Sequence, residues 1–128
     1  MIRHGNPPYL ECSSRGDIRF SAFYARIKAR GSKTIEEIYQ AAKIFPDGST
    51  SLDIKAAKGR LPVNVQECAE LYSKLWDEYL NENPHLAVTI FNASGVSDKF
   101  GQVGHQCQAT EIWRIRNYLR SNINADAT

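Results

Sequence analysis

The sequence lacks the marks of several large protein classes. Its 128 residues contain no apolar run that approaches a membrane span, and we also expect no secretory signal peptide. The net charge of +2 is too small to indicate a nucleic-acid-binding surface, although it does not exclude one. The three cysteines lie far apart in no metal-like spacing, so we predict free thiols in a reducing compartment. These features predict a cytoplasmic protein that does not enter a membrane.

Familiar catalytic signatures are missing as well. The chain has no P-loop, no GxGxxG after a predicted strand, no HExxH, no nucleophile elbow and no Cys/His metal spacing. We therefore expect neither a metal ion nor a cofactor. The sequence argues against a metalloenzyme or a P-loop nucleoside triphosphatase.

The residues that are present predict one compact α+β domain, mainly α, with about five helices and a few short strands near the N-terminus. Residues 1–17 are expected to form a leading loop or strand, residues 18–121 the domain, and residues 122–128 a flexible tail. Short strands are predicted at 18–20 and 23–27, helices at 34–45, 51–58, 65–81, around 86–91 and at 108–121, and a polar glycine-rich loop at 94–108.

The helix predicted at 34–45 carries the richest chemistry. Thr34 stands at its N-cap and Glu37 completes a capping box. Beside the apolar stripe, Glu36, Gln40 and Lys43 follow a different face at spacings of four and three residues. That face is either solvated surface or the wall of a pocket. Asn64 followed by Glu67 at the start of the next long helix predicts another capping box.

Other polar and aromatic groups are candidates for ligand binding. Phe23 and Tyr24 belong to a dense aromatic cluster that indicates either core packing or a stacking surface for a base. Two cations flank a glycine in the triplet 58–60, a pattern that suits an anion but is also common in solvated turns. Asp98 precedes Phe100 and Gly101 and is either an acid of a site or a turn-forming side chain.

The order of these motifs resembles the NADAR (YbiA-like) superfamily. The resemblance covers about residues 18 to 119. It rests on Phe20-Ser-Ala-Phe-Tyr24, Thr34-Ile-Glu-Glu-Ile-Tyr-Gln-Ala-Ala-Lys43, Lys58-Gly-Arg60, Leu75-Trp-Asp-Glu-Tyr79, Asn83-Pro-His-Leu86, Gly95 to Gly101 and a last helix with Ile115-Arg116. Two positions depart from the family pattern: Glu37 stands where the family often has His, and Phe100 replaces the Trp of a Trp-Gly pair.

The resemblance implies a mainly α-helical fold and N-glycosidase chemistry. The substrates of that family are ADP-ribosyl groups on guanine in nucleic acid, or phosphoribosyl-amino-pyrimidines. A carboxylate stabilises the positive charge that develops on the ribose when such a bond breaks. Carried over by position, the catalytic candidates are Glu36, Asp98 and Lys43. The candidates for substrate binding are Phe23, Tyr24, Gln40, Lys58, Gly59, Arg60, Phe100 and Gly101.

Two other functional classes remain open from the sequence. A relative without catalysis would bind an ADP-ribose-like nucleotide in order to sequester or sense it. A protein–protein module would use its aromatic helices as an interface, and homo-oligomer formation is compatible with the composition. For the N-glycosidase and for the non-catalytic relative, the partner is a small molecule or a ribosyl group attached to nucleic acid, whereas the protein–protein module would bind no nucleotide.

Overall fold

The computed structural model describes residues 2–5, 10–13, 15–50, 57, 60–98 and 107–126, with the backbone alone for residues 2–5 and 123–126. The predictions made for Lys58, Gly59, Phe100 and Gly101 lie outside the described residues. So does nearly all of the helix predicted at 51–58.

Helices dominate the described residues, which confirms the mainly α, α+β fold. They form four α-helices, fewer than the expected five or so: α1 Ile35–Ala41, α2 Val65–Glu82, α3 Leu86–Asn92 and α4 Gln108–Asp126. The last helix continues beyond its predicted end at Ser121. No helix among the described residues is long and apolar enough to cross a bilayer.

Short strands build two small sheets. The strands are β1 Ile2–Gly5, β2 Leu10–Glu11, β3 Arg26–Ile27, β4 Lys33–Thr34 and β5 Gly95–Asp98. One sheet has the order β1-β5-β2, with β1 antiparallel and β2 parallel to β5, and the other pairs β3 with β4 antiparallel. In register, Val96 lies opposite both His4 and Leu10.

The central strand β5 corrects the prediction of a loop from residue 94. All four of its residues are buried; β1 pairs with all four of them, and β2 pairs with Val96 and Ser97. Such a strand is stabilised by its neighbours, and a single large apolar residue, Val96, gives no alternating pattern in the sequence. The consequence for function is that Asp98 ends a buried strand.

The strand predicted at 18–20 is also wrong, because Ile18–Phe20 forms a 3-10 turn. The carboxylate of Asp17 accepts a hydrogen bond from the N–H of Arg19 at 3.2 Å, and the N–H of Ser21 bonds to the carbonyl of Ile18 at 3.1 Å. Local hydrogen bonds of this kind compete with strand pairing. Within the predicted strand 23–27, only Arg26–Ile27 is extended and paired.

One hydrophobic core brings the elements of the site together. Phe20, Ile35, Leu75, Trp76 and Ile112 are all fully buried in it. Through these contacts α1 packs on α2, and α4 packs on β5 and on the turn at 18–20. The core thus fixes α1, the segment after residue 20, β5 and the start of α4 relative to one another.

Candidate functional site

A capping box fixes the start of α1, as the sequence predicts. The hydroxyl of Thr34 accepts from the N–H of Glu37 at 3.1 Å, and the carboxylate of Glu37 accepts from the N–H of Thr34, also at 3.1 Å. The hydrogen bonds that the Thr34 N–H and, to a smaller extent, the Thr34 hydroxyl donate to the carboxylate of Glu37 lower its pKa. The carboxylate of Glu37 is therefore engaged in the cap, whereas Glu36 is buried beside it.

The end of α1 is set by Asn64, and this corrects two predictions. The side-chain amide of Asn64 donates to the carbonyl of Ala42 and its oxygen accepts from the N–H of Ile44, both at 2.9 Å. These bonds replace the next helical turn, so α1 ends at Ala41 and not at Phe45. The same oxygen is not used to cap α2, so the capping box predicted with Glu67 is absent; Asn64 donates to the Glu67 side chain instead.

The polar side chains of Glu36 and Gln40 on α1, and of Lys43 just beyond its end, are buried and do not form a solvated surface. The exposed fractions are 8% for Glu36, 4% for Gln40 and 5% for Lys43. Nε2 of Gln40 donates to Oε1 of Glu36 at 2.7 Å, which is the bond expected between residues four apart on one helix. We call these three buried polar side chains the polar wall. Burying polar and charged groups costs free energy, so the hydrogen-bond partners of each group must be identified.

The side-chain amide oxygen of Gln40, Oε1, is buried and has no hydrogen-bond partner among the described residues. Exchanging the amide oxygen and nitrogen would not help, because it would bring two acceptor oxygens together at Glu36. An unsatisfied buried acceptor costs about 1–3 kcal/mol. In this polar wall, the side-chain oxygen of Gln40 can therefore still accept a hydrogen bond.

Lys43 extends the wall and binds backbone. Its Nζ donates to the carbonyl oxygens of Ala57 at 3.2 Å and Arg60 at 3.0 Å. Burial lowers the pKa of Lys43, and the negative charge of nearby Glu36 opposes that shift. Lys43 therefore places a cation near Glu36 and holds the backbone at Ala57 and Arg60 against α1.

The side chain of Arg60 is presented at the surface beside this backbone. Arg60 is exposed, and its guanidinium carbon lies 3.8 Å from the centre of the Phe45 ring. Stacking on an aromatic face orders a guanidinium while leaving its N–H groups free to bind an anion. Arg60 is thus an ordered, exposed cation whose backbone carbonyl is bound by the buried Lys43.

A connected set of hydrogen bonds joins the two predicted acids. The N–H of Glu36 donates to the carbonyl of Ala22 at 3.0 Å, and the N–H of Ala22 donates to Oε1 of Gln108 at 2.8 Å. Nε2 of Gln108 then donates to Oδ2 of Asp98 at 3.0 Å. Asp98 is 4% exposed. Hydrogen bonds therefore connect the buried carboxyl group of Asp98 with the backbone N–H of Glu36, a buried acid 62 residues away in the sequence (98 − 36).

The aromatic pair beside Ala22 lies at the surface. Residues 21–25 form a turn in which the carbonyl of Ser21 accepts from the N–H groups of Tyr24 and Ala25. Phe23 and Tyr24 are 41% and 52% exposed, so they are not the core aromatics that their cluster also allowed. Both residues directly follow Ala22, which connects Glu36 with Gln108. Their exposed rings therefore suit the rim of a ligand-binding site.

The structure adds three residues that the sequence reasoning missed. Gln108 connects Asp98 with Ala22, and the thiol of Cys107 lies 3.5 Å from Oδ2 of Asp98. Tyr72 is buried on α2; burial raises its pKa, and the charge of Glu36 adds to the effect. A glutamine at a helix start and a tyrosine on an apolar stripe carry no signal of a site in sequence.

A groove of about 460 Å³ lies elsewhere, between α2, the start of α3 and α4. Its lining includes Leu80, Pro84 and Tyr118 but none of the predicted site residues. Arg114, the cation of the groove, already binds Asp77 and Glu111 at 3.0 Å each. Because the charged side chain of Arg114 is already paired, the described lining of the groove offers no unpaired cation for an anionic ligand. Its volume alone does not identify it as the functional site.

Metal binding finds no support in the part of the chain that the structure describes, where no three His, Cys, Asp or Glu side chains are grouped to hold an ion. No protein-family model and no curated protein matches this chain. The assignment of a function therefore depends on the chemistry of the residues themselves.

Proposed function

We propose that this protein is a cytoplasmic N-glycosidase that hydrolyses the bond between a base and an ADP-ribosyl or phosphoribosyl group. The observation that carries the proposal is that both predicted acids, Glu36 and Asp98, are buried, and that hydrogen bonds through Gln108 and Ala22 connect the Asp98 carboxyl with the backbone N–H of Glu36. Burying an acid costs free energy, so two buried acids from distant segments that belong to one hydrogen-bond network are candidates for a catalytic role. The order of sequence motifs, which resembles the NADAR superfamily, supports the same chemistry.

In the proposed reaction the carbon–nitrogen bond breaks and its electron pair leaves with the base. Positive charge then develops on the ribose ring, and the carboxylate of Glu36 stabilises it. The oxygen of a water molecule bonds to the anomeric carbon, and Glu36, assisted by Asp98, accepts the proton that the water gives up. The departing base takes a proton from solvent, and Glu36 later returns to solvent the proton that it accepted from the water, which leaves the free base and a hydroxyl group on the anomeric carbon. No cofactor is needed for this balance of atoms.

The groups around the acids suit the rest of such a substrate. Arg60 is exposed and ordered on Phe45, where it offers N–H groups to a phosphate. Phe23 and Tyr24 offer exposed rings on which a base stacks. Lys43 acts through electrostatics on Glu36 and through the Arg60 backbone, and not as a direct phosphate ligand, because carbonyl oxygens already occupy its ammonium group.

The test is release of the free base from ADP-ribosylated guanosine and from a phosphoribosyl-amino-pyrimidine, measured by chromatography. Glu36→Gln is expected to lower turnover by a factor of about 10² to 10⁴. Ligand affinity should change only a few fold, because the shape and most contacts are kept. Glu70→Gln is the matched control, since Glu70 pairs with Gln66 at four-residue spacing on the exposed face of α2.

The outcomes separate the possible functions. Release that is lost in Glu36→Gln and kept in Glu70→Gln supports the N-glycosidase. If base release is absent but ADP-ribose raises the melting temperature, the protein is a nucleotide-binding protein without this activity. If Glu36→Gln releases base at the wild-type rate, Glu36 is not the catalytic carboxylate.

A further inference from the structure

The side-chain nitrogen and oxygen of Gln40 differ in their hydrogen bonding. Its nitrogen is committed to the carboxylate of Glu36 at 2.7 Å, while its oxygen is buried without a partner among the described residues. The residue is only 4% exposed, so bulk water does not satisfy that oxygen. A buried acceptor that is held in place and left unmatched is complementary to a ligand that brings a donor.

The chemistry of the oxygen restricts the kind of ligand group that fits. A carbonyl oxygen only accepts hydrogen bonds, so its partner is an O–H or N–H group. The phosphate oxygens of an ionised ester or pyrophosphate are acceptors and are excluded from this position. The phosphate of a ligand therefore belongs at the cationic Arg60 end, and a hydroxyl-bearing part of the ligand belongs beside Gln40.

The position of the oxygen then selects one hydroxyl. A single amide carbon joins it to the nitrogen that binds Glu36, so it lies beside that carboxylate. Under the proposed function, Glu36 faces the anomeric carbon of a ribosyl group. The hydroxyl attached to the neighbouring carbon, the 2-hydroxyl, is the donor nearest to the anomeric carbon.

We propose that the side-chain oxygen of Gln40 accepts a hydrogen bond from the 2-hydroxyl of the bound ribosyl group, so that the site selects ribosyl over 2-deoxyribosyl compounds. This inference rests on the proposed function, and it applies equally to ADP-ribosyl and phosphoribosyl substrates, which share the ribose. Gln40 is thereby a specificity-determining residue. Its hydrogen bond to Glu36 also orients that carboxylate toward the sugar.

The experiment compares the affinity of the whole protein for ADP-ribose with its affinity for the analogue whose terminal ribose lacks the 2-hydroxyl, by titration calorimetry. Wild-type protein is expected to bind ADP-ribose about tenfold or more tightly, the effect of one hydrogen bond to a buried acceptor. In Gln40→Met, which keeps the length of the side chain but has no amide oxygen, the two ligands should bind with nearly equal affinity. Gln66→Met, at an exposed glutamine paired with Glu70, should leave the wild-type preference unchanged.

The results distinguish failure of this inference from failure of the proposed function. Equal binding of the two ligands by wild-type protein overturns the role of Gln40, even if base release is observed, and this result does not depend on a variant that folds. A preference that survives in folded Gln40→Met also overturns it. Absence of any ADP-ribose binding together with absence of base release overturns the proposed function and this inference with it.

Discussion

The side-chain amide of Gln108 donates a hydrogen bond to Oδ2 of Asp98 at 3.0 Å, while its oxygen accepts one from the backbone N–H of Ala22 at 2.8 Å. All three residues are buried. One side chain at the start of α4 therefore ties the end of β5 to the segment that carries Phe23 and Tyr24. It also ties both to α1, because the carbonyl of Ala22 holds the N–H of Glu36.

Replacing Gln108 should destabilise the fold as well as the site. Gln108→Leu fills a similar space but leaves the N–H of Ala22 without its partner and removes a donor from Asp98, so we expect a loss of about 2 kcal/mol in the free energy of unfolding. Urea denaturation measures this loss. Gln66→Leu, at an exposed position on α2, should change stability by less than about 0.5 kcal/mol. Equal losses in the two variants would show that the Gln108 bonds contribute nothing specific.

The capping box at the start of α1 should make a measurable contribution to stability. Thr34→Ala removes the oxygen that accepts from the N–H of Glu37, and we expect a loss of about 1 kcal/mol in the free energy of unfolding. Thr89→Ala, inside α3, is the control and should change stability by less than about 0.5 kcal/mol. Chemical denaturation of both variants tests the difference, and a Thr34→Ala variant as stable as wild type would contradict it.

Local signals in the sequence predicted the start of α1 correctly but failed at residues 18–20 and at Asn64, and they could not predict the long-range pairings. The start of α1 was predictable because Thr34 and Glu37 satisfy each other within one turn. Its end was not, because Asn64 terminates it from 20 residues beyond Ile44. The strand β5 was missed for the same reason, since β1 and β2 stabilise it from elsewhere in the chain.

In the candidate site, too, the sequence indicated local relationships between residues but not long-range contacts. Helical spacing predicted Glu36, Gln40 and Lys43 on one face; the structure shows that all three are buried and that Lys43 lies just beyond the end of α1. The sequence also did not indicate that Gln108 would connect Asp98 with Ala22, because that contact spans 86 residues. Glutamine has no distinctive catalytic pattern, so its role emerges only from its hydrogen-bond partners.

The stability of the protein should fall at alkaline pH through Tyr39. Burial raises the pKa of Tyr39 to about 12, and the charges of Cys68 and Glu36 add to the shift. In the unfolded chain a tyrosine ionises near pH 10, as its ordinary pKa of about 10 dictates. Between these values the folded state holds the proton that the unfolded state has lost, so the free energy of unfolding falls as the pH rises.

Tyr39→Phe isolates this effect because it removes only the hydroxyl. Urea denaturation at about pH 9 and about pH 11 should show that wild type loses more stability over this interval than Tyr39→Phe does. Tyr118→Phe, which alters an exposed tyrosine, should lose as much as wild type. If Tyr39→Phe and Tyr118→Phe respond identically to pH, the Tyr39 hydroxyl is not held protonated by the fold.

Arg60 should bind the phosphate of the ligand through its guanidinium. Arg60→Ala is expected to weaken ADP-ribose binding by about tenfold to a hundredfold, the range for charge-assisted hydrogen bonds. Arg60→Lys keeps the charge but loses the planar guanidinium that stacks on Phe45. Its affinity for ADP-ribose should therefore lie between those of wild type and Arg60→Ala. Because Lys43 binds the backbone carbonyl of Arg60, both variants keep that bond and the local fold.

The control for Arg60 is Lys74→Ala, which removes an exposed positive charge from α2. It should leave the affinity for ADP-ribose unchanged in calorimetric titrations at the same salt concentration. If Lys74→Ala weakens binding as much as Arg60→Ala, the ligand senses only the overall charge of the protein. If Arg60→Ala binds like wild type, the phosphate lies elsewhere, and the orientation that places the ribose at Gln40 and the phosphate at Arg60 is wrong.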